Sequence, residues 1–278
     1  MGANIFEYDF IIKGILGAIF ASISAGIAGT YIVSRRMVFL SGGITHASFG
    51  GIGIGYYAGI NPVLGAAVFG IMSALGIEYL SVRQKIREDS AIGILWAFGM
   101  AVGIIFIYLT PGYSPNLMSY LFGSLLTVTR ADLFALGIIS AILIVYFTVF
   151  FRTILYISFD EAYARTYSGY VYIFKYITTA LIALTIVLNI RMAGVVLVIS
   201  LLTIPPNIAM LFTKTYSRIV LLSIITGFLG TSAGYVISYF AGIPTGASII
   251  FTLVLLWAIL RLVATATAKS RKAAFAKR

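Results

Sequence analysis

The sequence predicts an all-α membrane protein, a polytopic bundle of eight to nine transmembrane helices. Hydrophobic residues make up 61% of its 278 residues and charged residues only 10%, whereas a soluble domain carries about 25% charged residues. The mean hydropathy is +1.06. The apolar residues gather into runs of about 20, the length of helix that crosses a bilayer. No stretch of domain size lacks such a run, so residues 1–278 read as a single transmembrane domain.

The first span is expected from about Asp9 to Val33. It carries the small residues Ala21, Ala25 and Ala28, which suit close helix contact, and it stops at Ser34-Arg35-Arg36. Glu7 and Asp9 stand where a cleavable signal would carry basic residues. The second span is expected from about Val38 to Ala58. Asn61-Pro62 then makes a tight turn, because proline ends one helix and is tolerated at the start of the next. The third span runs from about Val63 to Leu80 and is followed by the highly charged decapeptide SVRQKIREDS. The fourth runs from about Ala91 to Leu109. Within 113–131, Leu117 to Leu126 reads as a short helix lying at the interface or dipping into the membrane. The fifth span is about Asp132 to Phe151.

After a polar connection the sixth span runs from about Val171 to Leu188, and Asn189 to Met192 reads as a short loop. The seventh, about Val195 to Phe212, holds Pro205-Pro206, which is expected to break it and free backbone carbonyls. The eighth is about Ile219 to Phe240 and the ninth about Ala247 to Val263. Residues 264–278 form a basic tail with no apolar span.

Charge sets the orientation. With nine spans and the N-terminus outside, only Lys13, Arg130 and Arg191 of the 19 lysines and arginines fall on the outer side. The reverse orientation inverts the positive-inside bias. The net charge of +11 is therefore a topology signal and an attraction to anionic lipid, not a nucleic-acid patch.

The chemistry centres on Leu40 to Tyr57, LSGGITHASFGGIGIGYY, which holds the single histidine of the chain, His46. A buried imidazole in a bilayer is costly, and an intramembrane ionisable residue marks a functional site by default. Thr45 and Ser48 flank it. Glycines 42, 43, 50, 51, 53 and 55 let other helices or a passing ion approach the backbone. The bland alternative is a helix-contact histidine bonded to a neighbouring carbonyl. Asn207, directly after the proline pair, is placed to line the same pathway. Enzyme classes find little support. There is no cysteine, no HExxH pair and no GxSxG turn. No GxxxxGK[ST] loop is present either, so energy for uphill movement comes from an ion gradient or from another subunit.

Five blocks in order carry a resemblance: SRRMVFLSGGITHASFGG, REDSAIGILWAFGMAVG, LMSYLFGSLLTVTRADL, ISFDEAYARTYSG and GVVLVISLLTIPPNIAML. From Ile27 to about Leu260 the chain resembles the ABC-3 permeases, membrane subunits of bacterial zinc and manganese importers. The resemblance implies a permease fold like that of vitamin B12-type ABC importers. It implies a homodimer in the bacterial inner membrane, two cytoplasmic ATPase subunits that bind the ATP, and an extracellular or periplasmic metal-binding protein. No permanent cofactor is implied; a divalent metal, zinc or manganese with iron as a further candidate, is cargo. Residues 159–169 would form the cytoplasmic coupling helix, with Phe159, Asp160, Glu161, Ala162, Tyr163 and Ala164 meeting the ATPase. Two positions depart from the family pattern. Gly42 stands where an aspartate is common, and Ser124 replaces an acid often found after the Leu-Phe-Gly block. Trp96 and Phe98 lie near positions where zinc permeases can present a histidine. Two other readings remain: a stand-alone secondary metal transporter or channel, and a siderophore or vitamin permease of similar fold.

Overall fold

The computed structural model describes residues 9–111, 128–167 and 169–275, and the described residues are helices joined by short turns. The expected short helix at Leu117 to Leu126 lies outside the described residues, as does Ser124. The elements are α1 (Asp9–Ser34), α2 (Val38–Tyr57), α3 (Pro62–Val82), α4 (Glu88–Leu109), α5 (Arg130–Val149), α6 (Phe151–Phe159), α7 (Glu161–Tyr167), α8 (Val171–Phe212), α9 (Tyr216–Ala241) and α10 (Thr245–Phe275).

Local chemistry explains the helix starts. The Asn61 side chain accepts from the Val63 amide at 2.9 Å, and Pro62 takes the first helical position of α3, where its missing N–H costs nothing. Thr129 and Asp132 form a reciprocal capping box at α5, which satisfies two orphan amides. Gly242 ends α9 with φ of 64°, a conformation that glycine adopts without steric cost.

Among the described residues seven helices are long and apolar enough to cross a membrane. Helix α2 is not among them, because its glycines and hydroxyls dilute its apolarity. Yet it runs the depth of the bundle, wedged between α3 and α4. Helix α8 has 42 residues, about 63 Å if straight, twice the hydrocarbon core of a bilayer. It does not run straight. Gly194 leaves helical geometry with φ 76° and ψ 163°. Lys175, near the start of α8, pairs with Glu161 of α7. Arg191 pairs with Asp132, in the first turn of α5, at 2.9 Å. Past Gly194 the chain returns, since three residues join Phe212 to Tyr216, whose ring meets Phe151 and Phe159 of α6. Residues 171–193 and 195–212 are thus separate passes. Counting α2 and the second pass of α8 with the seven, the described residues make nine passes.

Two expectations change here. Asn189 to Met192 is not a loop but helix, and the turn is made at Gly194. Pro205 and Pro206 do not break the helix, and the only non-helical residue inside α8 is Gly194. The prolines still deprive the Leu201 and Leu202 carbonyls of N–H partners. The Leu202 oxygen lies where a side chain on Gly29 of α1 would stand, so the freed carbonyl packs against bare backbone. Helix α10 continues without interruption past Ala264 to Phe275.

Helix α1 and the two passes of α8 form the buried centre, with α9, α10 and α5 around them. Hydroxyls and amides tie these helices together. Asn189 donates to Ser24 at 3.1 Å, Ser140 to the Phe20 carbonyl at 3.1 Å and Ser248 to the Gly234 carbonyl at 2.8 Å. Such bonds hold membrane helices where apolar contact gives no net drive.

The second unit is α2 between α3 and α4, and it is held by absent side chains. A Cβ on Gly50 would stand 2.8 Å from the Gly99 carbonyl oxygen, and one on Gly99 would stand 2.5 Å from the Ala47 Cα. Gly51 faces the Gly65 backbone and Gly53 faces the Gly103 backbone at still closer approach. Gly51→Leu should therefore force α2 and α3 apart at a cost of about 3 kcal/mol. Gly93→Ala, with no atom near its added methyl, should be neutral or stabilise by up to about 1 kcal/mol. Thermal unfolding of the two variants in detergent checks the contrast; equal midpoints would contradict this contact.

Candidate functional site

His46 stands near the middle of α2 and is half-buried. Its ring stacks on Trp96 of α4, with centroids 4.2 Å apart and planes 7° from parallel. Helices α2 and α4 run side by side in the same direction: Gly43 meets Ile92 and Gly53 meets Gly103. That register places the indole beside the imidazole. Among the described residues His46 makes no hydrogen bond, so it is not held by a neighbouring carbonyl. Apolar stacking fixes the ring plane and leaves its nitrogens available.

One turn before His46, Gly42 faces the edge of Trp96, 3.6 Å from where its Cβ would be, and Ile199 of α8 at 3.9 Å. Ile199 thus brings the second pass of α8 to the histidine side of the α2–α4 unit. That pass carries a polar stripe at helical spacing, Ser200, Thr203 and Asn207. Each turns a donor onto its own helix: Ser200 to the Val196 carbonyl at 3.1 Å, Thr203 to that of Ile199 at 2.8 Å and Asn207 to that of Thr203 at 2.7 Å. Hydroxyl lone pairs and the Asn207 carbonyl oxygen remain to face outward. Asn207 is exposed. It lies two helical turns beyond Ile199, about 12 Å along the axis, so it does not stand at the depth of His46.

Thr45 and Ser48 are not part of this surface. Both are fully buried. Thr45 donates to the Ser41 carbonyl at 2.5 Å and Ser48 to that of Ile44 at 2.7 Å. Ser48 also fills the space over Gly70 of α3. Ser48 stands two positions from His46, about 200° round the helix, and that turn takes it into the α3 contact. Sequence reasoning missed Ser200 and Thr203. Their signal was the recurrence of hydroxyl, hydroxyl and amide on one face of an otherwise apolar helix.

Among the described residues no three of His, Asp and Glu come together to hold a metal ion. What the chain offers is one imidazole and a ladder of neutral oxygens. Such donors suit passage of a borderline cation more than its retention, since conduction needs release as well as entry.

At the basic end, marked by Arg35, Lys175 and the start of α4, the short helix α7 has two faces. Asp160 caps it, accepting from the Tyr163 amide at 2.9 Å. Ala164 is buried against Ile157 and Val171. Glu161 turns inward and meets Arg165 at 2.6 Å, Lys175 at 3.2 Å and Arg35 at 3.4 Å. Phe159 and Tyr163 are 65% and 53% exposed, and Ala162 is exposed beside them. Residues 159–164 therefore divide: Asp160, Glu161 and Ala164 build the helix and fasten it, while Phe159, Ala162 and Tyr163 look outward. Burial alone would raise the Glu161 carboxyl, but Arg165, Lys175 and Arg35 outweigh it and hold it below the usual glutamate range.

The sequence profile of the ABC 3 transport family matches residues 7–264. An uncharacterized membrane protein of Synechocystis is 38% identical over 244 residues, 88% of this chain and 87% of its own length. The manganese transport system membrane protein MntC of Listeria monocytogenes is 31% identical, with 92% of this chain and 91% of its own covered. Among solved structures, a chain of PsaBC from Streptococcus pneumoniae in complex with Fab superposes with a TM-score of 0.82 at 29% identity, covering 92% of each chain.

The Glu161 pairing has a defined pH dependence. A depressed carboxyl contributes fully above the usual glutamate value, 4.5, and its contribution is lost as pH falls through the lower, folded value. Amide exchange across 161–167 in the detergent-solubilised chain should stay slow from neutral pH down to about 5 and accelerate only below that. Release of α7 at pH 6 would contradict the pairing.

Proposed function

The chain belongs to the ABC 3 transport family, and from that premise we propose that it is the permease subunit of an ATP-driven importer of a divalent transition metal, manganese ahead of zinc or iron. Two copies pair in the bacterial inner membrane with their His46 surfaces toward the passage. The basic end faces the cytoplasm and the N-terminus lies outside. Two ATPase subunits dock on Ala162 and Tyr163, on the outward face of α7, and on Phe159 at the end of α6. An extracellular binding protein delivers the metal. With no phosphate-binding loop of its own, the chain leaves ATP hydrolysis to those partners.

The observation that carries this reading is the His46–Trp96 stack. It keeps a half-buried imidazole oriented in the middle of a membrane helix without tying up its nitrogens. The stripe on α8 continues the same face toward the basic end. Both copies together would supply two imidazoles and doubled oxygens at the passage. The manganese relatives support the choice of metal, as do oxygen donors. The charge distribution supports the orientation: Lys13 pairs with Asp9 at 2.5 Å and Arg191 with Asp132 at 2.9 Å, so the far end offsets cations that the basic end leaves in excess.

A stand-alone pump driven by protons or sodium would need an acidic relay within the spans. The buried Glu78 is instead paired with Lys175.

His46→Ala, reconstituted in liposomes with the partner ATPase and binding protein, should lower manganese uptake about tenfold or more while the complex assembles normally. Uptake at the unsubstituted rate would reduce the histidine to a contact residue.

A further inference from the structure

Lys175 is 6% exposed and Glu78 is 4% exposed, and the two form an ion pair between the start of α8 and the last turns of α3. The same ammonium reaches Glu161 of α7 at 3.2 Å. Glu161 in turn meets Arg35, the residue after α1, whose guanidinium also bonds the Tyr31 hydroxyl at 3.1 Å. The chain of contacts runs α3, α8, α7, α1 without a gap. It is confined to the basic end, and α7 is its most exposed member.

Stability does not explain this arrangement. Withdrawing two charges from water costs several kcal/mol per ion, and buried pairs are often neutral or worse than apolar replacements of similar volume. A well-attested use of such pairs is to fix one arrangement against another. Here the arrangement that is fixed is the position of α7 relative to α3. Helix α3 is in backbone contact with α2 through Gly65 and Gly51, and Gly70 lies over Ser48. Ser48 is two residues from His46. A displacement of α7 is therefore delivered, through Glu161, Lys175 and Glu78, to the helix that clamps the histidine segment.

We propose that Glu161, Lys175 and Glu78 form the rigid link that converts movement of α7 into movement of α2, and that they are positioning residues for transport. The docking surface is separate, on the opposite face of α7. The proposal rests on the importer reading above. It differs from a docking role for the carboxylates, because none of the three has to touch the ATPase.

The test uses the full complex of permease, ATPase and binding protein in liposomes, with manganese as the probe and both ATP hydrolysis and uptake recorded. Glu161→Gln keeps the shape and removes the charge. Lys175→Met combined with Glu78→Leu replaces the buried pair by apolar groups of similar volume, so neither partner is left as an uncompensated buried charge. Both variants should assemble and hydrolyse ATP, and manganese transported per ATP should fall about fivefold or more. A purely structural role would leave that ratio unchanged in every complex that assembles. An unchanged ratio in either variant overturns the proposal. So does failure of both to assemble, which would make the link a folding element only. If the unsubstituted complex shows no ATP-dependent manganese uptake, the importer reading itself has failed.

Discussion

Helix α2 can lie where it does only because its neighbours meet it backbone to backbone. Gly51 against Gly65, Gly53 against Gly103 and Gly99 against Ala47 leave no room for side chains between the axes. This closeness fixes α2 in depth and rotation. It decides that Ser48 enters the α3 contact, that Thr45 is buried and that His46 emerges beside Trp96. Among the described residues the imidazole is not placed by hydrogen bonds. Its orientation follows from glycine geometry and one aromatic face.

The charges follow a second constraint. Among the described residues the acids at the far end, Asp9 and Asp132, pair with basic residues there, whereas the basic end keeps a surplus of cations. Of the five acids at the basic end, Glu161 and Glu78 point inward and pair with Lys175. The short helix α7 thus has an inner face of charge and an outer face of aromatic and small residues. One element can be fastened to the bundle and still offer a surface to a partner.

Much of the fold was legible because lipid imposes simple rules on composition. Run lengths placed the spans, Asn61-Pro62 marked the α2–α3 turn, and basic residues separated the two ends. What could not be read depends on three-dimensional register. Asn189 to Met192 looked like a loop because asparagine and arginine interrupt the apolar run; yet Asn189 bonds Ser24 and Arg191 bonds Asp132, and both are accommodated in helix. The reversal falls on Gly194, which alone has the backbone freedom for φ of 76°. Prolines 205 and 206 signalled a break, yet the helix continues through them. Glu161 looked like an outward docking charge because its partner Lys175 is distant enough in sequence to hide the pairing. Of the candidate pathway residues, His46 is half-buried and Asn207 exposed, whereas Thr45 and Ser48 are fully buried.

The central claim is that the His46 face borders water rather than acyl chains or a dry contact. The chain contains no cysteine, so single thiols can be placed without background. His46→Cys, Ser200→Cys and, as a lipid-facing reference, Ile105→Cys, which replaces a side chain 55% exposed on α4, can each be titrated in the assembled complex with a charged, membrane-impermeant thiol reagent. Positions 46 and 200 should react readily, manganese should slow them, and position 105 should stay inert. A thiol at position 46 as unreactive as the one at 105, with or without metal, would contradict that claim.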